Sequence, residues 1–384
     1  MYRFWQEFKR FFRKGDTVLL LLCMVITSFG IVMISSATNH MGSTRFIIIQ
    51  LAAAGLGILM YAIISSIDAD VLAERRTSLV MFNLFMLLLL IPFGTDNNSG
   101  NRSWLDIPLI PFDIQPAEVC KMFFIVTMAS VMKEHQSGIS GIKSILHMVF
   151  HLGLLVGLNM ALSRDAGVSL IFVFIFIGMA FAGGVSLLWY LLAGGAIAAA
   201  WPFIWNVMDQ HQRNRILILF DPTVDPLGID ERFHSKRSLL SLTGGGTSGQ
   251  GLFEGIRTQS GALPAQHTDY IFSAIGEELG FIGCALVLLA EFLVVARCIQ
   301  IGNRTNDYMR RMICYGAASA LIFQVLSNVG MCIGVTPVIG LTLPFISYGG
   351  SSIVSLYAML GLVSGVHARP ESEIHELYIR PRRY

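Results

Sequence analysis

Charge is scarce in this chain. Only 14% of its 384 residues are Asp, Glu, Lys or Arg, where soluble domains carry about 25%. The net charge of +2 offers a polyanion nothing to grip, which argues against nucleic acid as a partner. The six cysteines (Cys23, Cys120, Cys284, Cys298, Cys314 and Cys332) fall in or at the ends of apolar stretches, with no CxxC spacing. A disulfide framework and a cysteine metal site are therefore not expected, and buried free thiols are. Apolar residues make up 54% of the chain, with the few charges crowded between long apolar runs. That is the composition of a multi-span membrane protein.

A helix needs about 20 apolar residues to cross the bilayer core. The sequence offers ten such segments: 17–37, 46–65, 77–94, 116–132, 145–162, 167–184, 186–205, 271–297, 311–333 and 345–366. The expected fold is an all-α polytopic membrane protein of about ten spans, a single domain over 1–384 with one large extracytoplasmic loop, 206–270, and a short tail, 368–384. A tight turn is required near Gly184-Val185, and nine spans would result if one of that pair were re-entrant. The cationic block Arg3, Lys9, Arg10, Arg13 and Lys14 mimics a signal peptide, yet the apolar run after it is long enough to be a retained span. With both ends inside, seventeen of the 27 Lys and Arg residues fall in cytoplasmic segments and three in the short outer loops. The positive-inside rule thus puts both termini in the cytoplasm and the large loop outside.

Three constellations carry chemistry. Pro116 opens the fourth span, and Glu118 and Lys121 then share one helix face. Such an intramembrane pair marks a functional site or a self-neutralising structural contact. Before the eighth span comes Ala265-Gln266-His267-Thr268-Asp269, followed by Glu277 and Glu278 in that span's outer turns. Asp269 reads as a general base at the outer membrane surface or as a helix cap. The segment His211-Gln212-Arg213-Asn214-Arg215, with Arg232, Lys236 and Arg237 beyond it, suits a diphosphate or anionic lipid heads. Two patterns mislead. Gly244, Gly246 and Gly249 match GxGxxG without a βαβ unit around them, and read as a flexible or substrate-contacting loop. His147 and His151 have zinc-like spacing but no third ligand nearby, so helix packing is the better reading.

Taken together, these segments resemble the SEDS family (shape, elongation, division and sporulation), which includes RodA, FtsW and SpoVE. The resemblance rests on Arg102-Ser103-Trp104, Gln115 to Lys121, Gln212 to Ile216, Asp225-Pro226, His234, Leu263 to Gly280, Asn328 to Met331 and Leu343 to Gly350. It covers nearly the whole chain in order and spacing, and it leans towards the RodA branch. It implies a peptidoglycan glycosyltransferase that polymerises lipid II, the undecaprenyl-diphosphate-linked precursor, for cell shape or division. Asp269, Glu118 and Lys121 match the family's essential acid, helical Glu and helical Lys, and the resemblance implies that these three are the catalytic residues. Substrate contacts are implied for Arg102, Trp104, Arg213, Arg215, His267, Thr268, Ser347 and Tyr348. The chain departs from the family at Ala117, Arg237, Ala265 and Ile339, and at Ser163-Arg164-Asp165, where Gln-Pro-Asp is usual.

The expected reaction is an inverting transfer between two lipid-linked sugars. Asp269 would take the acceptor proton, and Arg213, Arg215, Lys121 or a divalent cation such as Mg2+ would meet the leaving diphosphate. A class B penicillin-binding protein is the partner the resemblance implies, membrane lipids surround the chain, and the bacterial cytoplasmic membrane is the location. The rival reading is a lipid II flippase.

Overall fold

The computed structural model describes residues 15–95, 102–106, 113–208, 210–221, 232–263 and 265–369. The N-terminal cationic block, Asp225-Pro226 and the tail from residue 370 lie outside the described residues. The first helices are α1 (Thr17–Thr38), α2 (Arg45–Ser66), α3 (Ala69–Glu74), α4 (Arg76–Leu88) and α5 (Leu90–Phe93). Next come α6 (Pro116–Glu134), α7 (Ile142–Leu162), α8 (Ala166–Ala182), α9 (Leu187–Val207), α10 (Gln210–Leu217), α11 (Arg232–Gly245) and α12 (Ile256–Gln259). The last three are α13 (Ile271–Arg304), α14 (Tyr308–Cys332) and α15 (Gly350–Ala368). Among the described residues the strands are two short pieces, β1 (Gly94–Thr95) and β2 (Trp104–Leu105).

All ten expected spans coincide with helices. Eight of these, counting α4 and α5 as one run, are long and apolar enough to cross a membrane, so the chain is a multi-pass membrane protein. The other two have visible reasons for falling short. Helix α8 has 17 residues, and α6 carries Glu118, Lys121, Lys133 and Glu134. Only helices satisfy every backbone group within one segment in hydrocarbon, and the sequence supplies their starts. Asp16, Asp165 and Asp307 each accept a backbone N–H three residues on, capping α1, α8 and α14, while Pro116 opens α6.

Helix α6 is the centre of the bundle, buried on nearly every side and packed against α4, α7, α8, α14 and α15. Helix α2 lies along α15, and α1 along α13. Helix α9 has no buried residue along its length and meets the core through Trp189 and Tyr190 near its start. The turn before it is where the sequence required one, with Gly184 at φ 86°. At one end of the bundle, charges stitch the helices together. Arg310, nearly inaccessible, binds Asp68 at 2.9 Å and Asp70 at 2.6 Å, Lys133 binds Asp307 at 2.9 Å, and Arg297 binds Asp16 at 2.8 Å. All six cysteines are buried and free, as expected.

At the other end the chain departs from simple spans. The last span begins at Gly350, not at 345. Residues Leu343–Gly349 form a non-helical loop, because Pro344 disfavours helix and the N–H groups of Leu343 and Tyr348 are committed to Ser347 Oγ and the His267 carbonyl. The segment 206–270 is no bare loop: α9 runs to Val207, and α10, α11 and α12 follow. The glycine run is not flexible either. Gln250 and Gly251 donate to the carbonyls of Glu277 and Glu278, and Phe281 and Ile282 donate back to Gly246 and Thr247. A Cβ on Gly245 would lie 1.9 Å from the Gly276 oxygen, and one on Gly249 2.1 Å from that of Glu278. These glycines permit backbone-to-backbone packing.

Helix α13 breaks at Gly280 (φ 65°, ψ −164°), a conformation that is essentially glycine-only. The break sets the stretch before Gly280 against the glycine run and places Glu277 and Glu278 in its buried wall. Glu277 accepts from Thr258 N at 2.8 Å and Thr258 Oγ1 at 2.7 Å, while Glu278 accepts from Ser36 Oγ and, at 2.8 Å, from Gln259 Nε2. A Cβ at Gly280 would meet Gly249 N at 2.4 Å and Thr247 C at 2.6 Å, neither able to move alone. Gly280→Ala is therefore expected to cost about 3 kcal/mol or more, combining backbone strain with the clash. Thermal unfolding of the detergent-solubilised protein checks this, and an unchanged melting point contradicts it.

Candidate functional site

The site lies at the end where α13 begins. Residues 265–270 form a turn ahead of that helix, opened by Ala265 at φ 52° and anchored by Gln266. The Gln266 amide donates to the carbonyls of Ala37 at 2.6 Å and Thr258 at 2.8 Å, tying the turn to α1 and α12. The next three carbonyls are each gripped by another part of the chain. Tyr348 N–H donates to His267 O at 2.8 Å, Ser347 Oγ to Thr268 O at 2.7 Å, and Asn328 Nδ2 to Asp269 O at 2.8 Å. Asp269 is thus held by its backbone while its carboxylate is free to act. That carboxylate faces Gly340, whose missing Cβ would lie 3.5 Å from Oδ2.

Burial first, and the Asp165 carboxylate second, push Asp269 from its ordinary 3.8 up to about 6. A carboxylate in that range is ionised at neutral pH yet a stronger base than an exposed one. His267 packs edge-on to Phe46 at 4.8 Å and stands 5.7 Å from the Tyr348 ring. Burial, and then His40, lower His267 to about 4, so its ring is neutral at pH 7 and cannot serve as a cation for a phosphate.

Asp165 was not among the candidates from sequence. As the cap of α8 it accepts from Val168 N at 3.1 Å, and its Oδ2 accepts from Gln115 Nε2 at 3.2 Å and Ser103 Oγ at 3.4 Å. Burial is the leading cause that raises its pKa, and Glu118 adds to it. Asp165 therefore feels Glu118 and in turn raises Asp269, linking the two acids that the sequence singled out. An acid before an apolar run reads as a cap, which hid this second role.

Glu118 and Lys121 do share a face, as their spacing required. Nζ lies 2.8 Å from Glu118 Oε2, with the two side chains 2% and 4% exposed for Lys121 and Glu118. Ser355 Oγ donates to the same Glu118 oxygen at 3.0 Å, joining α6 to α15. Asp165 connects the pair to Asp269, and its neighbour Gln115 precedes Pro116 and donates through its N–H to Ser351.

The remaining candidates divide. Thr268, His267, Ser347 and Tyr348 join Asp269 in one cluster. Arg215 reaches the loop before α15 through Val338 O at 3.3 Å, which brings it to the Asp269 side. Arg213 turns to the end of α9, donating to Asn206 O at 2.9 Å. Trp104 sits in the β1–β2 hairpin, and Arg102 donates to Gly94 O at 2.9 Å there, so Ser103 is the residue of that motif that meets Asp165. His147 and His151 pack against each other, and among the described residues no group of three His, Cys, Asp or Glu could hold a metal ion.

Known proteins resemble this chain in sequence and in fold. A family model described as a cell cycle protein, covering FtsW, RodA and SpoVE, matches residues 16–372. The peptidoglycan glycosyltransferase MrdB of Escherichia coli K12 is 29% identical over 356 residues, spanning 91% of this chain and 92% of its own. A probable peptidoglycan glycosyltransferase FtsW of Trichlorobacter lovleyi is 32% identical over 367 residues, 92% of this chain and 94% of its own. Among solved structures, a chain of a peptidoglycan synthase complex superposes with a TM-score of 0.79 at 29% identity, covering 94% of this chain and 99% of that one. The rod shape determining protein RodA of Thermus thermophilus superposes with a TM-score of 0.70 at 26% identity, over 94% of this chain and 98% of its own. With the family model matching residues 16–372 and relatives and solved structures alike over more than nine-tenths of its length, this chain belongs to the FtsW, RodA and SpoVE family of cell cycle proteins.

Proposed function

We propose that Asp269 is the general base with which this chain, a peptidoglycan glycosyltransferase, joins the sugars of lipid II into glycan strands. The observation that carries this is a carboxylate whose backbone is fixed while its oxygens stay free, raised by burial into the working range of a base. The acceptor sugar hydroxyl attacks the anomeric carbon of the donor as Asp269 takes the hydroxyl proton. The bond from that carbon to the diphosphate breaks, and the lipid diphosphate leaves with the electron pair. A hydroxyl is too weak a nucleophile without such a base.

The leaving diphosphate needs positive charge. Arg215 is best placed to give it, since it is exposed and reaches the Asp269 side, whereas Arg213 turns to the end of α9 and Lys121 is buried against Glu118. A divalent cation such as Mg2+ would find Asp165 as its carboxylate beside the diphosphate oxygens, the mixed protein and substrate shell that Mg2+ favours, and would neutralise the departing charge. Glu118 and Lys121 act as positioning residues that hold α6 to α15 and set the field at Asp165.

The charge distribution supports placing Asp269 outside the cytoplasmic membrane and both termini inside. Arg76, Lys133, Lys143, Arg297, Arg304, Arg310 and Arg311 all lie at the bundle end opposite Asp269. A class B penicillin-binding protein is the proposed partner, since the glycan strands must then be crosslinked.

The pH dependence tests the assignment. Asp269 must be ionised to accept a proton, so activity is lost on the acid side as pH falls through its pKa. The rate of polymerisation from purified lipid II is expected to hold down to about pH 6 and then fall about tenfold per unit. A profile flat to pH 4 removes Asp269 as the base.

A further inference from the structure

Asn328 is fully buried near the end of α14, a helix that contributes none of the candidate residues. Its Nδ2 donates to Asp269 O at 2.8 Å and also to Leu341 O at 2.7 Å. One amide group thus joins the turn that bears Asp269 to the loop before α15. Its orientation is forced, because a flipped amide would aim Oδ1 at two carbonyl oxygens. The cost is visible: Oδ1 is buried without a hydrogen-bond partner. Leu341 follows Gly340, the residue that faces the Asp269 carboxylate. Holding Asp269 O and Leu341 O together therefore sets the carboxylate against Gly340.

We infer that Asn328 is the positioning residue for Asp269, fixing where the base stands. The grips on His267 and Thr268 hold neighbouring residues, whereas Asn328 holds the reacting residue itself, where the Cys332 thiol adds only a weak donor at 3.8 Å. The inference rests on the reading of Asp269 as the base.

The test uses the full chain in detergent with its partner, comparing the native protein with Asn328→Ala and Asn328→Ser. In Asn328→Ala kcat is expected to fall about 100-fold, as a displaced base dictates, with KM for lipid II little changed. The acid limb of the pH profile is expected to move to lower pH, because a loosened turn hydrates Asp269 and makes it a weaker base. A merely structural defect lowers the active fraction without moving that limb. Asn328→Ser keeps one donor and is expected to fall between; it decides the matter if Asn328→Ala does not fold. A folded variant with unchanged kcat and an unmoved limb overturns the inference. Hydrogen exchange of amides 266–271 separates the two readings. Faster exchange with unchanged kcat means the grip is real but does not serve the reaction. Native-like activity in Asp269→Asn instead sinks the base assignment on its own.

Discussion

Replacing Asp269 with Asn is expected to lower the rate of glycan polymerisation about 10³-fold, the middle of the range for losing a general base. The amide has the shape of the carboxylate but cannot take a proton. The structure also predicts that this variant folds, because the three grips on this turn go to backbone carbonyls and none to the Asp269 side chain. Melting behaviour and lipid II binding are therefore expected to stay near native while turnover collapses. Single-turnover assays with saturating lipid II check this separation. A variant that keeps a tenth or more of the native rate rules the base assignment out.

The second large effect concerns stability. Glu118→Leu leaves the Lys121 ammonium buried with no counter-charge, and Lys121→Met leaves the carboxylate in the same state. Breaking a buried pair in this way costs about 3–5 kcal/mol, whereas replacing both partners with apolar groups is often neutral. Each single variant is expected to lose most folded protein. The double variant Glu118→Leu, Lys121→Met is expected to recover thermal stability and to polymerise lipid II within about tenfold of the native rate, because the pair positions α6 and does not touch the sugars. A double variant that is well folded but inactive would move the pair into the chemistry.

Much of this was legible in the sequence. Apolar runs located every helix that crosses the bundle, because hydrocarbon admits no other backbone solution for one segment. Pro116 set the phase that put Glu118 and Lys121 on one face, and the structure pairs them. Asp269 and its neighbours stood out because polar residues were concentrated just before an apolar span. What stayed hidden depends on contacts between distant segments. The loop Leu343–Gly349 reads as apolar and helical, yet its polar backbone is spent on holding His267 and Leu343 in place. The glycine run reads as a flexible or substrate-contacting loop, until Glu277 and Glu278 are seen packed against it. Asp165 is the cap of α8, and nothing in the sequence shows that the same carboxylate also stands near Asp269. Its turn also differs from the Gln-Pro-Asp usual in the family, since Arg164 stands at φ 56°, which a proline ring forbids. Asn328 was one letter of a motif, and its role appears only when two loops are brought to one amide.

The most direct measurement is glycan polymer formation from purified lipid II by the detergent-solubilised chain and its partner, with the partner's transpeptidase blocked by a β-lactam. The account predicts long glycan strands from the native protein and none from an equally folded Asp269→Asn. Strands from both, or from neither while the folded complex still carries lipid II across vesicle membranes, would contradict it, and the second result would restore the flippase.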